Sequence, residues 1–196
     1  MKALLLFSGG IDSTYLLHKL QHEVEQPRKR GTSVGEVICL SFDYQQPHAD
    51  RELEAAKAIT ERLGVLHLVE SLSLPFMSQD MASDAVVPNR NMIFLAVAGA
   101  VAVRDECDMI YIGCTQSDHE VFADCRPGFL REMNEALRLS VGVHVVAPLV
   151  GCSKRQVVVA GEQYGIDWGD TWSCYAGGQE ECGECLACEE RVACLS

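Results

Sequence analysis

The sequence predicts an α/β fold: a doubly wound, mainly parallel five-stranded sheet followed by a small cysteine-rich C-terminal segment. Three observations carry this expectation. Short apolar runs alternate with amphipathic stretches along most of the chain, as in sheets built from β-α-β units. The first apolar run passes directly into Ser8-Gly9-Gly10. Five of the ten cysteines fall after residue 170, where glycine and acidic residues also accumulate.

Ala3–Phe7 is a short apolar run bounded by glycine, the pattern of a buried parallel strand. Ser13–Val24 follows as a helix, with Leu16, Leu17 and Leu20 at helical spacing. Residues Glu25 to Gly35 are polar and turn-rich and predict a loop. Glu36–Phe42 reads as the second strand. Ala49–Leu63 places Leu53, Ala56, Ile59 and Leu63 on one helical face, with Gly64 as its stop. Val65–Val69 is the third strand. Ser71–Pro88 has no period and predicts a loop or lid. Asn91–Val103 is apolar nearly all round, as a buried helix is. Met109–Gly113 is the fourth strand, and Cys114–Arg126 is polar and irregular. Gly128–Val141 predicts a helix, Val143–Val146 the fifth strand, and Ser153–Tyr164 a further helix capped by Ser153. The domain expectation is one α/β unit over 1–165 and a cysteine segment over 166–196.

The chain has 196 residues, 48% of them hydrophobic, and a formal net charge of -12. That apolar content suffices for a core and excludes a disordered chain. The negative charge disfavours a free-standing nucleic-acid binder, which carries a basic face. No basic leader with a cleavage pattern and no apolar run of membrane-spanning length is visible. The expectation is a cytoplasmic protein with no membrane partner, whose cysteines are reduced and serve as ligands or catalysts.

In open α/β sheets, ligands bind beyond the carboxyl ends of the strands. Three polar segments follow strands, Ser8–Asp12, Asp43–His48 and Cys114–Arg126, and are expected on one rim. In the first, two glycines let the backbone curl close to an anion. The helix N-terminus beyond them offers unpaired N–H groups and a positive dipole end. Ser8 and Ser13 add hydroxyls, and Asp12 suits either Mg²⁺ or a helix cap. The loop lacks the lysine of GxxxxGK[ST] and does not match GxGxxG.

Cys174, Cys182, Cys185 and Cys188 have the spacing C-x7-C-x2-C-x2-C. Four thiolates separated by small residues suit a structural zinc ion with no open position. An iron–sulfur cluster also takes four thiolates, and two disulfides are the non-metal alternative.

Ser8-Gly9-Gly10-Ile11-Asp12-Ser13 resembles the SGGxDS loop of the ATP pyrophosphatase (PP-loop) superfamily. Together with the cysteine tail, the chain resembles the 7-cyano-7-deazaguanine synthase family of the queuosine pathway. Further stretches carry that resemblance. Phe42-Asp43-Tyr44-Gln45 is similar to the family's F-x-Y-x-Q, Val87-Pro88-Asn89-Arg90-Asn91 to V-P-G-R-N, and Asp124-Cys125-Arg126 to D-C-R. Thr171-Trp172-Ser173-Cys174-Tyr175 is similar to T-x-[ST]-C-Y, and Cys182 to Arg191 to C-G-x-C-x-x-C-x-x-R. Pro47 stands where the family commonly has Arg, and Asn89 where it has Gly.

The resemblance implies an adenine nucleotide alpha hydrolase-like sheet and a ligase. That ligase uses ATP and Mg²⁺ to turn 7-carboxy-7-deazaguanine and ammonia into the nitrile through adenylated carboxylate and amide intermediates. It also implies Zn²⁺ at the four cysteines and a homodimer. The expected ATP contacts are Phe7, Ser8, Gly9, Gly10, Ile11, Asp12, Ser13 and Thr14. The expected catalytic groups are Ser8, Asp12, Ser13 and Lys154, the last equally readable as a solvated helix-end lysine. Tyr44, Arg90, Asn91, Asp118, Asp124 and Arg126 are the candidate substrate contacts. All but Asn91 have a structural alternative: a rim tyrosine, salt-bridge arginines or turn-capping aspartates. Competing readings are a ligase coupling the adenylated acid to another amine, a tRNA-modifying adenylating enzyme with Cys114 as its thiol, and a non-catalytic nucleotide-binding scaffold.

Overall fold

The computed structural model describes residues 1–26, 34–73 and 87–196. Its strands are β1 (Lys2–Leu6), β2 (Glu36–Asp43), β3 (Leu66–Ser71), β4 (Met109–Tyr111) and β5 (His144–Val146). The helices are α1 (Ile11–Glu25), α2 (Ala49–Leu63), α3 (Arg90–Arg104), α4 (Asp118–Val121), α5 (Pro127–Val141), α6 (Lys154–Gly161) and α7 (Leu186–Leu195). The sheet runs β3-β2-β1-β4-β5, and every pairing is parallel. The order reverses between β1 and β4, so a crevice opens above the carboxyl end of β1. No helix among the described residues is long and apolar enough to cross a membrane.

Helices cover both faces of the sheet, and β1 shows why its sequence is apolar throughout. Ala3, Leu5 and Phe7 pack with Leu16, Leu17 and Leu20 of α1 on one face. Leu4 packs with Leu95 and Ala98 of α3 on the other. Leu4 and Leu5 are both fully buried, so truncating either to Ala costs about 2–5 kcal/mol. β3 is an edge strand and leaves Leu66 and Val69 exposed.

The expected five strands are present, with adjusted ends. Helix α1 starts at Ile11 with Gly10 as its cap. Asp12 therefore lies inside the first turn and does not cap the helix. Gly64 ends α2 in the left-handed region, its N–H reaching the carbonyls of Glu61 and Thr60. Ser153 caps α6 in a reciprocal capping box with Gln156. The helix expected to run to Tyr164 tightens into a 3₁₀ turn after Gly161. Trp168 packs there: a Cβ on Gly161 would lie 2.4 Å from its ring. The central parts of the expected loops at Glu25–Gly35 and Ser71–Pro88 lie outside the described residues.

Beyond Gly165 the chain returns across the crevice. The Trp172 N–H donates to the Gly9 carbonyl at 3.0 Å. His48 Nδ1 lies 3.1 Å from the Tyr175 carbonyl. Gly177, at φ +70, passes so close to the Pro47 carbonyl that a Cβ would sit 2.0 Å from its oxygen. The cysteine segment is thus laid against the first two rim loops.

Candidate active site

The glycine loop is shaped by contact with α2. Gly9 has φ +74, and a Cβ there would lie 2.8 Å from the Ala56 nitrogen and 3.0 Å from the Glu52 carbonyl. A side chain is therefore excluded twice, by conformation and by space. Ser8 Oγ accepts from the Gly10 N–H at 3.3 Å and lies 3.3 Å from Ser13 Oγ. The Ser13 hydroxyl in turn donates to the Gly10 carbonyl at 3.2 Å. On the other side, a Cβ on Gly113, two residues past β4, would lie 3.3 Å from the Asp12 Cβ.

This loop forms one wall of a cavity of about 230 Å³. Its second feature is a lysine surrounded by carboxylates. Lys154 Nζ stands 2.5 Å from Glu190, 3.5 Å from Asp118 and 3.8 Å from Asp12. Burial alone would lower the lysine pKa, but Asp12 and Asp118 outweigh it and hold the ammonium charged. Burial pushes the Asp12 carboxyl up to about 7 against the pull of Lys154. Asp12 Oδ1 is buried with no hydrogen-bond partner among the described residues. The cluster has more carboxylates than cations.

The opposite wall is aromatic. Phe42 and Phe94 stack at 4.3 Å, and Tyr44 lies 5.4 Å from Phe94. The Arg90 guanidinium donates to the Tyr44 hydroxyl at 3.1 Å and sits 6.0 Å above the Phe94 ring. Burial acts against that charge, but Tyr44 and Tyr175 sustain it and leave the guanidinium firmly protonated. Burial also raises Tyr175, to about 12. On the same wall, Glu52 accepts from Gln46 Nε2 at 3.1 Å and lies 3.7 Å from His48 Nε2.

Beside the cavity, the sulfurs of Cys174, Cys182, Cys185 and Cys188 all lie within 4.8 Å of one another. A tetrahedral ion with four bonds of ~2.3 Å places its sulfurs about 3.8 Å apart, and Cys182 and Cys188 already stand at 3.9 Å. Backbone N–H groups of Ala176 and Cys182 point at the Cys174 sulfur from 3.4 and 3.3 Å. This donor set can bind a metal ion. Cys194 lies apart from it, buried, with its thiol on the Arg191 carbonyl.

The family model described as queuosine biosynthesis protein QueC matches residues 2–85 and 68–196. A 7-cyano-7-deazaguanine synthase of Rhizobium johnstonii is 36% identical over 213 positions, covering 97% of this chain and 86% of its own length. One from Porphyromonas gingivalis is 36% identical over 215, covering 98% and 91%. The chain belongs to the QueC family. It is an enzyme of a ligase-type family whose curated relatives carry the synthase name. Among solved structures, the U34-tRNA thiolase NcsA from Methanococcus maripaludis with its [4Fe-4S] cluster superposes at TM-score 0.65 and 16% identity. All of this chain is covered, but only 64% of the thiolase. At that identity the likeness is one of fold.

The structure brings most of the family-matched residues together. Phe7, Ser8, Gly10, Ile11, Asp12, Ser13, Tyr44, Arg90, Asn91, Asp118 and Lys154 line the cavity. Gly9 turns beneath it, and Thr14 is buried inside α1. Asp124 and Arg126 do not line it. Asp124 accepts from the Asn91 N–H at 2.8 Å and so satisfies the start of α3. Arg126 is exposed and donates to the His119 carbonyl. Asn89, the departure from the family's glycine, sits at φ +59. Asparagine tolerates the left-handed region best after glycine, so the turn survives. Glu52, Phe94, Trp172, Tyr175 and Glu190 also line the cavity and carried no role in the sequence. The available signals were Glu52's place a helical turn after His48 and the position of Trp172, Tyr175 and Glu190 inside the two cysteine motifs.

Proposed function

We propose that the chain converts 7-carboxy-7-deazaguanine and ammonia into 7-cyano-7-deazaguanine with two ATP. The observation that carries this reading is the shared cavity. A glycine cradle and a charged lysine meet a half-buried arginine on an aromatic wall, in a member of the synthase family.

A carboxylate oxygen attacks the α-phosphorus of ATP and pyrophosphate leaves. Ammonia attacks the acyl carbon and AMP departs with that oxygen, leaving an amide. The amide oxygen attacks a second ATP, again expelling pyrophosphate. Loss of AMP and a proton then leaves the nitrile. A carboxylate oxygen is a poor leaving group and AMP a good one, which is why each step needs activation.

The N–H groups of Gly9, Gly10 and the first turn of α1, with the Ser8 and Ser13 hydroxyls, would hold the pyrophosphate portion. Lys154 would exchange its carboxylate partners for phosphate oxygens, where developing negative charge strengthens the contact. Arg90 would pair with the substrate carboxylate, and Tyr44 would pack on its ring. The partnerless Asp12 Oδ1 fits a ligand to Mg²⁺, which would supply charge neutralisation at the phosphates. The four thiolates fit Zn²⁺ in a closed structural site, since the reaction includes no redox step. Ammonia free in solution, a homodimer and a cytoplasmic setting belong to the same reading.

The tRNA thiolase alternative is disfavoured by Cys114. A hydrogen bond with Cys125 and then burial push its thiol well above the ordinary range, whereas the reactive species is the thiolate. The test is incubation with ATP, Mg²⁺, the carboxylic acid and ammonium, following AMP and product mass. Nitrile with two AMP per product supports the reading. AMP release that stops at the acyl adenylate points to a different amine.

A further inference from the structure

Among the described residues, four carboxylates line the cavity: Asp12, Glu52, Asp118 and Glu190. Three of them surround Lys154. Asp118 is doubly engaged, because its Oδ2 accepts from the Thr115 N–H at 2.7 Å and from the Thr115 hydroxyl at 2.8 Å. Glu52 stands apart, on the wall that carries Tyr44 and Arg90. Its hydrogen bond from Gln46 and its contact with His48 both fall on Oε2, and Arg90 acts on the carboxylate electrostatically. Oε1 takes part in neither of the two contacts, and the side chain keeps 20% of its surface open toward the cavity that it lines.

A 7-deazaguanine ring presents two adjacent donors, the ring N1–H and the 2-amino group, on the edge away from its five-membered ring. A carboxylate is acceptor-only and accepts such a pair side by side. We propose that Glu52 is the residue that reads this donor edge and makes the enzyme specific for a 2-amino-6-oxo ring. The proposal rests on the synthase reading above. Gln46 fixes the orientation of the carboxylate: its amide donates both to Glu52 and to the Phe42 carbonyl at 3.2 Å. Its carbonyl accepts from the Tyr44 N–H at 3.0 Å, so the reader and the aromatic wall share one support. The Glu52 backbone also packs on Gly9, which sets the distance between the ring edge and the nucleotide cradle.

The ring edge thus falls to Glu52 and not to Asp118 or Asp124, the two aspartates among the candidate substrate contacts. Asp124 is the cap of α3, outside the cavity, and Asp118 stands in the Lys154 cluster, with its Oδ2 held by the Thr115 N–H and hydroxyl.

The test compares two substrates in two proteins: 7-carboxy-7-deazaguanine and its analogue lacking the 2-amino group, with wild type and Glu52→Gln. Wild type is expected to prefer the parent acid by about 10- to 100-fold in kcat/KM, the discrimination that one bidentate pair on a base edge supplies. Glu52→Gln is expected to lose most of that preference, with a raised KM for the acid and a KM for ATP within about threefold of wild type. Equal use of both acids by wild type overturns the proposal whether or not the variant folds. Preference retained in the variant, or a raised KM for ATP in place of the acid, also overturns it and moves Glu52 to the nucleotide side. Failure of the synthase reading looks different, because wild type then releases no AMP with the parent acid and both proposals fall together.

Discussion

The ammonium of Lys154 lies 2.5 Å from a carboxylate oxygen of Glu190, joining the first turn of α6 to the helix that carries Cys188. The cysteine segment therefore reaches the charged centre of the cavity directly. Beside this contact, Arg191 donates to the Thr171 hydroxyl at 2.7 Å and the Trp168 carbonyl at 2.6 Å. Helix α7 is pinned on the 3₁₀ turn at Trp168–Asp170 at the point where Glu190, next to Arg191, meets Lys154.

Replacing Lys154 by Met keeps most of its length and removes the charge. The expected loss in kcat is on the order of 10²–10³, as for removal of one preorganised group aimed at developing charge. The check is the rate of AMP release at saturating ATP, with ATP binding measured separately. An unchanged rate would return Lys154 to the role of a helix-end lysine.

Gly9→Ala forces a Cβ to within 2.8 Å of the α2 backbone and an L side chain to φ +74. The cost is roughly 1–3 kcal/mol, or a fall in Tm of roughly 3–9 °C for a chain of this size. ATP affinity is expected to fall more steeply than stability, because the loop that must curl around the phosphates is the part displaced. Thermal melts with and without ATP separate the two effects.

Asp12 gives a pH prediction with a definite sign. Burial raises its carboxyl from the ordinary 3.8 to about 7 in the folded protein. Between those values the folded state holds a proton that the unfolded state has released. Its contribution to stability therefore declines as pH rises through that window and is fully lost above it. Asp12→Asn is expected to gain Tm relative to wild type at pH 8 and to show little difference at pH 4, while losing AMP formation at both. Melts across that range check it. A difference independent of pH would show that Asp12 is not buried in this way.

The four cysteines are expected to bind one zinc ion per chain, read by elemental analysis. Chelation or Cys188→Ser is expected to lower Tm and to loosen α7, since a closed thiolate site contributes its binding energy to folding. Because α7 carries Glu190, protease sensitivity should rise both at the tail and around the start of α6. Iron in place of zinc, with a visible charge-transfer absorption, would change the assigned metal.

The strand-to-helix turn at Ser8–Ser13 and the cysteine spacing were legible because each concentrates its chemistry in a few consecutive residues. The sheet was legible for the same reason: β1 and β2 are apolar on both faces, as central parallel strands must be. Lys154 was visible only as a candidate, because nothing local distinguishes it from a solvated lysine; its partners come from residues 12, 118 and 190. Asp124 and Arg126 fit a family motif, yet Asp124 serves as the α3 cap, a role set by a contact 33 residues away in sequence. Glu52 went unassigned because a glutamate on a helix ordinarily faces solvent. Only the crossing of α2 over the glycine loop turns it inward.

The most direct test of the central claim is to supply 7-carboxy-7-deazaguanine with both carboxylate oxygens labelled as ¹⁸O and to weigh the AMP released. Activation of the carboxylate and then of the amide predicts two AMP per nitrile, each carrying one ¹⁸O atom. Unlabelled AMP, meaning attack of water on ATP, or a nitrile formed with a single labelled AMP, would contradict the account.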